Sequence, residues 1–243
     1  MESHTPRIAG PLLGLTLTLL GLTLAAWGQE PCPWQELDLA SAQRSDDIAV
    51  RIVGSDNFHG DAIRVTVTAS EEASFRITVA PGTVLESTVP DEQDMVILGV
   101  RGKLDEALYI ERSAQIEVGC GETATYVLEA YCLELEKAAP ASSTEFRVGG
   151  PALEPVLAVV GASPPPGSDI SFAIQQAVWV ATEDLTPAEV APDDAVTMQI
   201  LVDAGLVEAG EIAEIAEGGN MLTVGVIVAV ALLLLGVVAL LIL

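Results

Sequence analysis

Residues 48 to 79 read IAVRIVGSDNFHGDAIRVTVTASEEASFRITV, and apolar and polar side chains alternate along most of this stretch. Ile63, Val65 and Val67, for example, are separated by single polar residues. A period of two residues predicts strands with one buried face. The Gly-Ser-Asp-Asn sequence at 54 to 57 is typical of a turn between two such strands.

The same pattern continues through residues 48 to 150, which we predict to be a β-rich portion of seven or eight short strands. Strands at this spacing, separated by Gly and Pro, indicate an antiparallel β-sandwich or barrel. The further predicted strands span residues 95 to 100, 107 to 111, 115 to 118, 125 to 135 and 145 to 148.

The pattern changes to a helical one over residues 151 to 205. A helix capped by Ser168 or Asp169 is predicted to run to about Thr182. Thr186 to Glu189 form a capping box, and shorter helices are predicted at 153 to 160 and at 192 to 203. The predicted fold class is therefore α+β, with the β-rich portion followed by a small helical part of the same domain.

Two apolar segments predict export and anchoring. Arg7 precedes an apolar run that ends in Ala-Trp-Gly, so residues 1 to 28 resemble a signal peptide. Residues 221 to 243 carry no charge, and roughly 20 such residues span a bilayer as a transmembrane helix. We expect a linker at residues 29 to 47 and an acidic stalk at residues 206 to 220.

These segments predict a single-pass protein of the cell membrane whose domain faces the extracellular side. A lipid anchor attached near Ala209 and Gly210 is the alternative to a retained transmembrane helix. The sequence contains no Asn-x-Ser/Thr acceptor, which fits a bacterial surface better than a glycosylated eukaryotic one.

The charge of the chain is strongly acidic. It has 35 Asp and Glu against 10 Lys and Arg, a formal net charge of −25. Such a field disfavours nucleic acid and favours cationic partners.

Conventional catalytic sites have few residues to draw on. His59 is the one histidine beyond the predicted signal peptide, and the sequence lacks the common hydrolase, phosphate-binding and zinc motifs. We therefore expect neither an enzyme nor a metal site nor a cofactor.

The chain has three cysteines, so at least one is left out of intramolecular disulfides. Cys120 and Cys132 fall at opposite ends of a predicted strand, farther apart than the roughly 7 Å between Cα atoms that a disulfide allows. Cys32 then pairs with one of them, or all three remain thiols. A Cys32–Cys120 disulfide is possible and leaves Cys132 over.

Two short motifs contain Cys132 and a glutamine in the helical part. Tyr131-Cys132 lies on a predicted strand, and residues 174 to 179 read IQQAVW on a predicted helix. This combination resembles the bacterial thioester domains of surface adhesins, which carry an aromatic-Cys element on a strand and a Thr-Gln-x-Ala motif, often followed by aliphatic-Trp, on a helix. Ile174 replaces the threonine, and the resemblance covers about 50 residues.

The resemblance implies an internal thioester between Cys132 and Gln175, with Tyr131 and Trp179 as pocket residues. Such a group would let a surface module attach covalently to a small amine or to an amine of a protein outside the cell. The alternative is a noncovalent Ig-like surface binding module, or a structural one, in which these residues pack without reacting.

Overall fold

The computed structural model describes residues 32 to 108, 111 to 183, 185 to 190 and 194 to 208. The secondary-structure elements are Trp34–Asp38 (β1), Leu39–Arg44 (α1), Ile48–Gly54 (β2), His59–Ala69 (β3), Ser74–Thr78 (β4), Thr83–Ser87 (β5), Met95–Lys103 (β6), Gln115–Val118 (β7), Thr123–Cys132 (β8), Phe146–Pro151 (β9), Glu154–Ala162 (α2), Ser168–Thr182 (α3), Pro187–Val190 (α4) and Ala195–Asp203 (α5).

Six strands form an antiparallel sheet in the order β2-β3-β8-β6-β5-β9. Its two edges meet, because Val53 of β2 bridges Glu145 beside β9 and the Gly54 N–H donates to the Thr144 carbonyl at 3.0 Å. The sheet is thus a nearly closed barrel, and the fold is β-rich with few helices. The barrel is one of the two alternatives that the strand spacing predicted.

Alternation along β8 divides its side chains between two cores. Leu128, Ala130 and Cys132 belong to the core inside the barrel, whereas Tyr131 belongs to a second core outside it. This follows from the period of two, which sends successive side chains to opposite faces of a sheet.

The second core lies between the barrel and the helices. Val156 of α2, Ile174 of α3 and Leu201 of α5 pack there with Leu98 of β6. The helices lie within the segment for which the sequence predicted them. Asp194 begins α5 by accepting a hydrogen bond from the Val196 N–H at 3.0 Å.

The predicted linker at residues 29 to 47 contains a strand and a helix. β1 runs parallel to β4, which also pairs with β7, in a separate three-stranded sheet. Helix α1 buries Leu39 and Ala42. The sequence pattern missed β1 because four of its five residues are exposed, so it shows little apolar alternation.

The predicted strands differ from the structure at two further places. β5 was not predicted, although its Leu85 is fully buried. The strand predicted at 107 to 111 is absent from its described residues, which are 107, 108 and 111. A short segment becomes a strand only if a neighbour supplies its hydrogen bonds, as β6 and β9 do for β5.

The predicted signal peptide, the predicted transmembrane helix and residues 209 to 220 of the predicted stalk lie outside the described residues. In the part of the chain that is described, no helix has the length and apolar character needed to cross a membrane.

Cys32 and Cys120 form a disulfide, with Cα atoms 6.2 Å apart and a sequence separation of 88. It ties the segment before β1 to the turn after β7. Because the bond closes a long loop, its removal should lower the free energy of unfolding by about 2 to 4 kcal/mol. Urea unfolding of the Cys32→Ser/Cys120→Ser double variant would measure this loss.

A reductant should lower the stability of the wild-type protein but should leave the double variant unchanged. An unaltered urea midpoint in the double variant would contradict the expected contribution.

Candidate functional site

Cys132 lies at the last position of β8, where the barrel strand ends. It pairs with Met95 of β6, and its main-chain N–H approaches the Phe58 carbonyl at 3.3 Å. It is the free cysteine of the described residues and is fully buried. The other two cysteines are committed to the disulfide, so Cys132 is available for other chemistry.

Gln175 faces Cys132 from the middle of α3, and it is also fully buried. The Cys132 N–H donates to the Gln175 side-chain oxygen Oε1 at 2.9 Å. In return, Nε2 of Gln175 donates to the Cys132 carbonyl at 2.8 Å. The structure therefore brings together two residues that are 43 positions apart in sequence.

Aromatic rings surround this contact on the helix side. Phe58 stacks parallel to Trp179 with ring centroids 6.2 Å apart, and its edge meets Phe172 at 6.4 Å. Phe172 and Trp179 flank Gln175 by three and four residues on α3, so all three share one helix face. Phe58 thus lies across the part of α3 that carries Gln175.

Trp179 lies four residues after Gln175 on α3, about one helical turn away. Its ring is 9 % exposed, and the indole Nε1 is buried without a hydrogen-bond partner. An unpaired buried N–H is uncommon in folded proteins. The Trp179 ring therefore leaves one hydrogen-bond donor unused.

Tyr131 points away from Cys132, to the opposite face of β8. Its hydroxyl donates to Oε1 of Glu129 at 2.7 Å, and Glu129 receives two further hydrogen bonds from Arg112 at 2.9 Å each. Burial, followed by the nearby Glu129 carboxylate, raises the pKa of Tyr131. Tyr131 is thus a chain neighbour of the site and part of a buried polar network beneath the helices.

Burial also controls the chemistry of the cysteine. It raises the pKa of the Cys132 thiol to about 12, and Glu134 adds a smaller contribution in the same direction. At neutral pH the free thiol is therefore protonated and a poor nucleophile toward molecules in solution. A reaction of Cys132 is restricted to groups that the fold itself places against it.

Sequence reasoning missed Phe58, His59 and Phe172 as neighbours of the site. The sequence predicted a turn at residues 54 to 57, and Phe58 and His59 directly after it are partly buried, with the His59 ring against Phe172 of α3. A large aromatic residue within an otherwise polar turn was the available signal.

Comparisons of the chain with protein-family models, with curated proteins and with solved structures gave no match.

Proposed function

We propose that this protein is an extracellular surface module that attaches covalently to amines through an internal thioester between Cys132 and Gln175. The observation that carries the proposal is the reciprocal pair of hydrogen bonds between the Gln175 carboxamide and the Cys132 main chain. It holds an unpaired cysteine and a buried glutamine side chain together in a site closed to solvent.

The local geometry suits thioester formation. The Cys132 sulfur attacks the side-chain carbonyl carbon of Gln175, a C–S bond forms, the C–N bond breaks and ammonia leaves with the thiol proton. Negative charge develops on Oε1 during the attack, and the Cys132 N–H already donates to this oxygen. The Cys132 side chain packs in the barrel core, so the attack requires its rotation toward Gln175. The two hydrogen bonds to the Cys132 main chain hold the amide next to this residue during that movement.

Attachment is the second half of the chemistry. A primary amine attacks the thioester carbonyl carbon, an amide forms at Gln175 and Cys132 is released as a thiol. The net charge of −25 favours the approach of a cationic group such as a lysine side chain. The protein is consumed by the reaction, so the module is an attachment device without turnover.

We also propose, from the two apolar terminal segments, that the module is exported and held to the membrane by one C-terminal helix. Removal of residues 1 to 28 and retention of residues 221 to 243 place the described domain outside the cell. A surface location suits a thioester that reacts once, because the amines that it would attach to lie outside the cell.

The test is the intact mass of the protein purified from its secretory route under nonreducing conditions. We expect a chain without residues 1 to 28 whose mass is lower than the oxidised sequence by one ammonia. Incubation with methylamine should add one methylamine, and peptide mapping should locate it at Gln175 with Cys132 free. A mass equal to that of the chain with its disulfide and no other change would rule out the thioester.

The second candidate is a noncovalent binding or structural module. One observation favours it: the Gln175 amide has both its donor and its acceptor paired with the Cys132 main chain, as a purely structural contact requires. In that case Gln175 fastens α3 to the end of β8, and methylamine leaves the mass unchanged.

A further inference from the structure

His59 lies beside the aromatic rings that pack next to the site. It pairs in register with Tyr131 at the start of β3, one residue before the end of β8. Its ring contacts Phe58 at 4.3 Å and Phe172 at 5.9 Å between centroids. Phe172 is 48 % exposed, whereas Cys132 and Gln175 are fully buried, so these rings form the rim between solvent and the site.

One nitrogen of the His59 ring makes no hydrogen bond. Nδ1 is buried and has no hydrogen-bond partner in the structure. The nearby ionisable groups do not occupy it: Tyr131 donates to Glu129, and Asp61 is paired with Arg101 at 3.1 Å. The facing side of α3 presents Phe172 and, next to Gly60, Ser171.

We propose that His59 is the general base for the attack of an amine on the thioester, an inference that rests on the proposed function. The attacking nitrogen becomes positively charged as its bond to the Gln175 carbonyl carbon forms. Nδ1 of His59 takes a proton from this nitrogen, the C–S bond breaks, and His59 gives the proton to the Cys132 thiolate that leaves. The products are the amide at Gln175 and the Cys132 thiol, with His59 neutral again.

Two properties of the site suit this role. Burial lowers the pKa of His59 below its ordinary value of 6.5, so the ring is neutral and able to accept a proton at pH 7. The Cys132 thiol, with its raised pKa, holds the returned proton firmly.

The rate of amine addition to the thioester-containing protein tests the proposal. A weakly basic amine such as methoxyamine is suitable, because it is mostly uncharged from about pH 5 to about pH 8, the range in which histidines titrate. The rate per uncharged amine, followed by intact mass, should fall as the pH is lowered through the His59 pKa. His59→Gln should react about a hundredfold more slowly, without this pH dependence.

His59→Phe is the control for packing, because it keeps a ring against Phe58 and Phe172 without a basic nitrogen. It should be as slow as His59→Gln. The missing ammonia in each variant shows that it has folded and formed the thioester. Wild-type rates and an unchanged pH profile in both variants would overturn the inference.

The wild-type pH profile is a test that needs no variant: a rate per uncharged amine that is independent of pH would also overturn the role of His59. A wild-type protein whose mass shows no loss of ammonia would contradict the proposed function, and this inference would fail with it. A thioester that forms but adds the amine at the same rate in the wild type and the His59 variants would contradict only the inference.

Discussion

Replacement of Cys132 by alanine is expected to give a protein that keeps the ammonia of Gln175 and takes up no methylamine covalently. Only the sulfur is lost, since both hydrogen bonds to Gln175 come from the Cys132 main chain. The variant should therefore fold, with a cost of about 1 kcal/mol for the small cavity left in the barrel core. Intact mass before and after incubation with methylamine measures the loss of chemistry.

Gln175→Ala is the matched variant that separates reaction from packing. It also removes the thioester, but it leaves the buried carbonyl of Cys132 unpaired and its N–H with only the Phe58 contact at 3.3 Å. It should be less stable than Cys132→Ala by about 2 kcal/mol, the typical cost of buried polar groups without partners.

Because neither variant has the cross-link, their difference in urea unfolding reports the lost hydrogen bonds together with the difference between the two cavities. Equal stabilities would show that the amide contributes nothing to the fold. Methylamine addition that persists at Gln175 in Cys132→Ala would rule out the cysteine as the partner.

The second large effect is expected at the buried ion pair beneath the helices. The carboxylate of Glu129 is 2 % exposed and accepts from Arg112 and from the Tyr131 hydroxyl. Arg112 also donates to the Ser163 carbonyl at 3.2 Å, and it packs where Gly99 leaves room, since a Cβ there would come within 2.7 Å of the arginine.

Arg112→Met should lower the free energy of unfolding by about 3 to 5 kcal/mol, because it leaves the Glu129 carboxylate buried without its countercharge. Urea unfolding measures the loss. Arg51→Met is the matched control, since Arg51 and Glu145 pair with more than half of each side chain exposed. It should cost no more than about 1 kcal/mol.

Similar small losses in the free energy of unfolding of both variants would contradict the view that burial makes the Arg112 ion pair important for stability.

Local sequence patterns were sufficient for the elements whose stability depends on their own residues. Alternation at Ile63, Val65 and Val67 predicted β3, and the side chains of these residues are fully buried. The apolar face that includes Ile174 and Ala177 predicted α3. Both signals work because the period of a strand or helix decides which side chains can share one buried face.

The resemblance to thioester domains implied Cys132 and Gln175 as a candidate pair but not how they meet. Gln175 is a polar residue on a helix and would ordinarily be exposed, yet it is fully buried because the end of β8 supplies a main-chain donor and acceptor for its amide. Such a contact joins distant segments, so no local pattern encodes it.

Tertiary structure alone decided the surroundings of the site. The resemblance implied Tyr131 as a pocket residue, and the pleat of β8 sends its side chain to the face opposite that of Cys132, toward Glu129. Phe58 and His59 belong to a turn in sequence and to the rim of the site in space. The strand period determines which face a side chain takes, and only the packing of α3 against the barrel determines what that face meets.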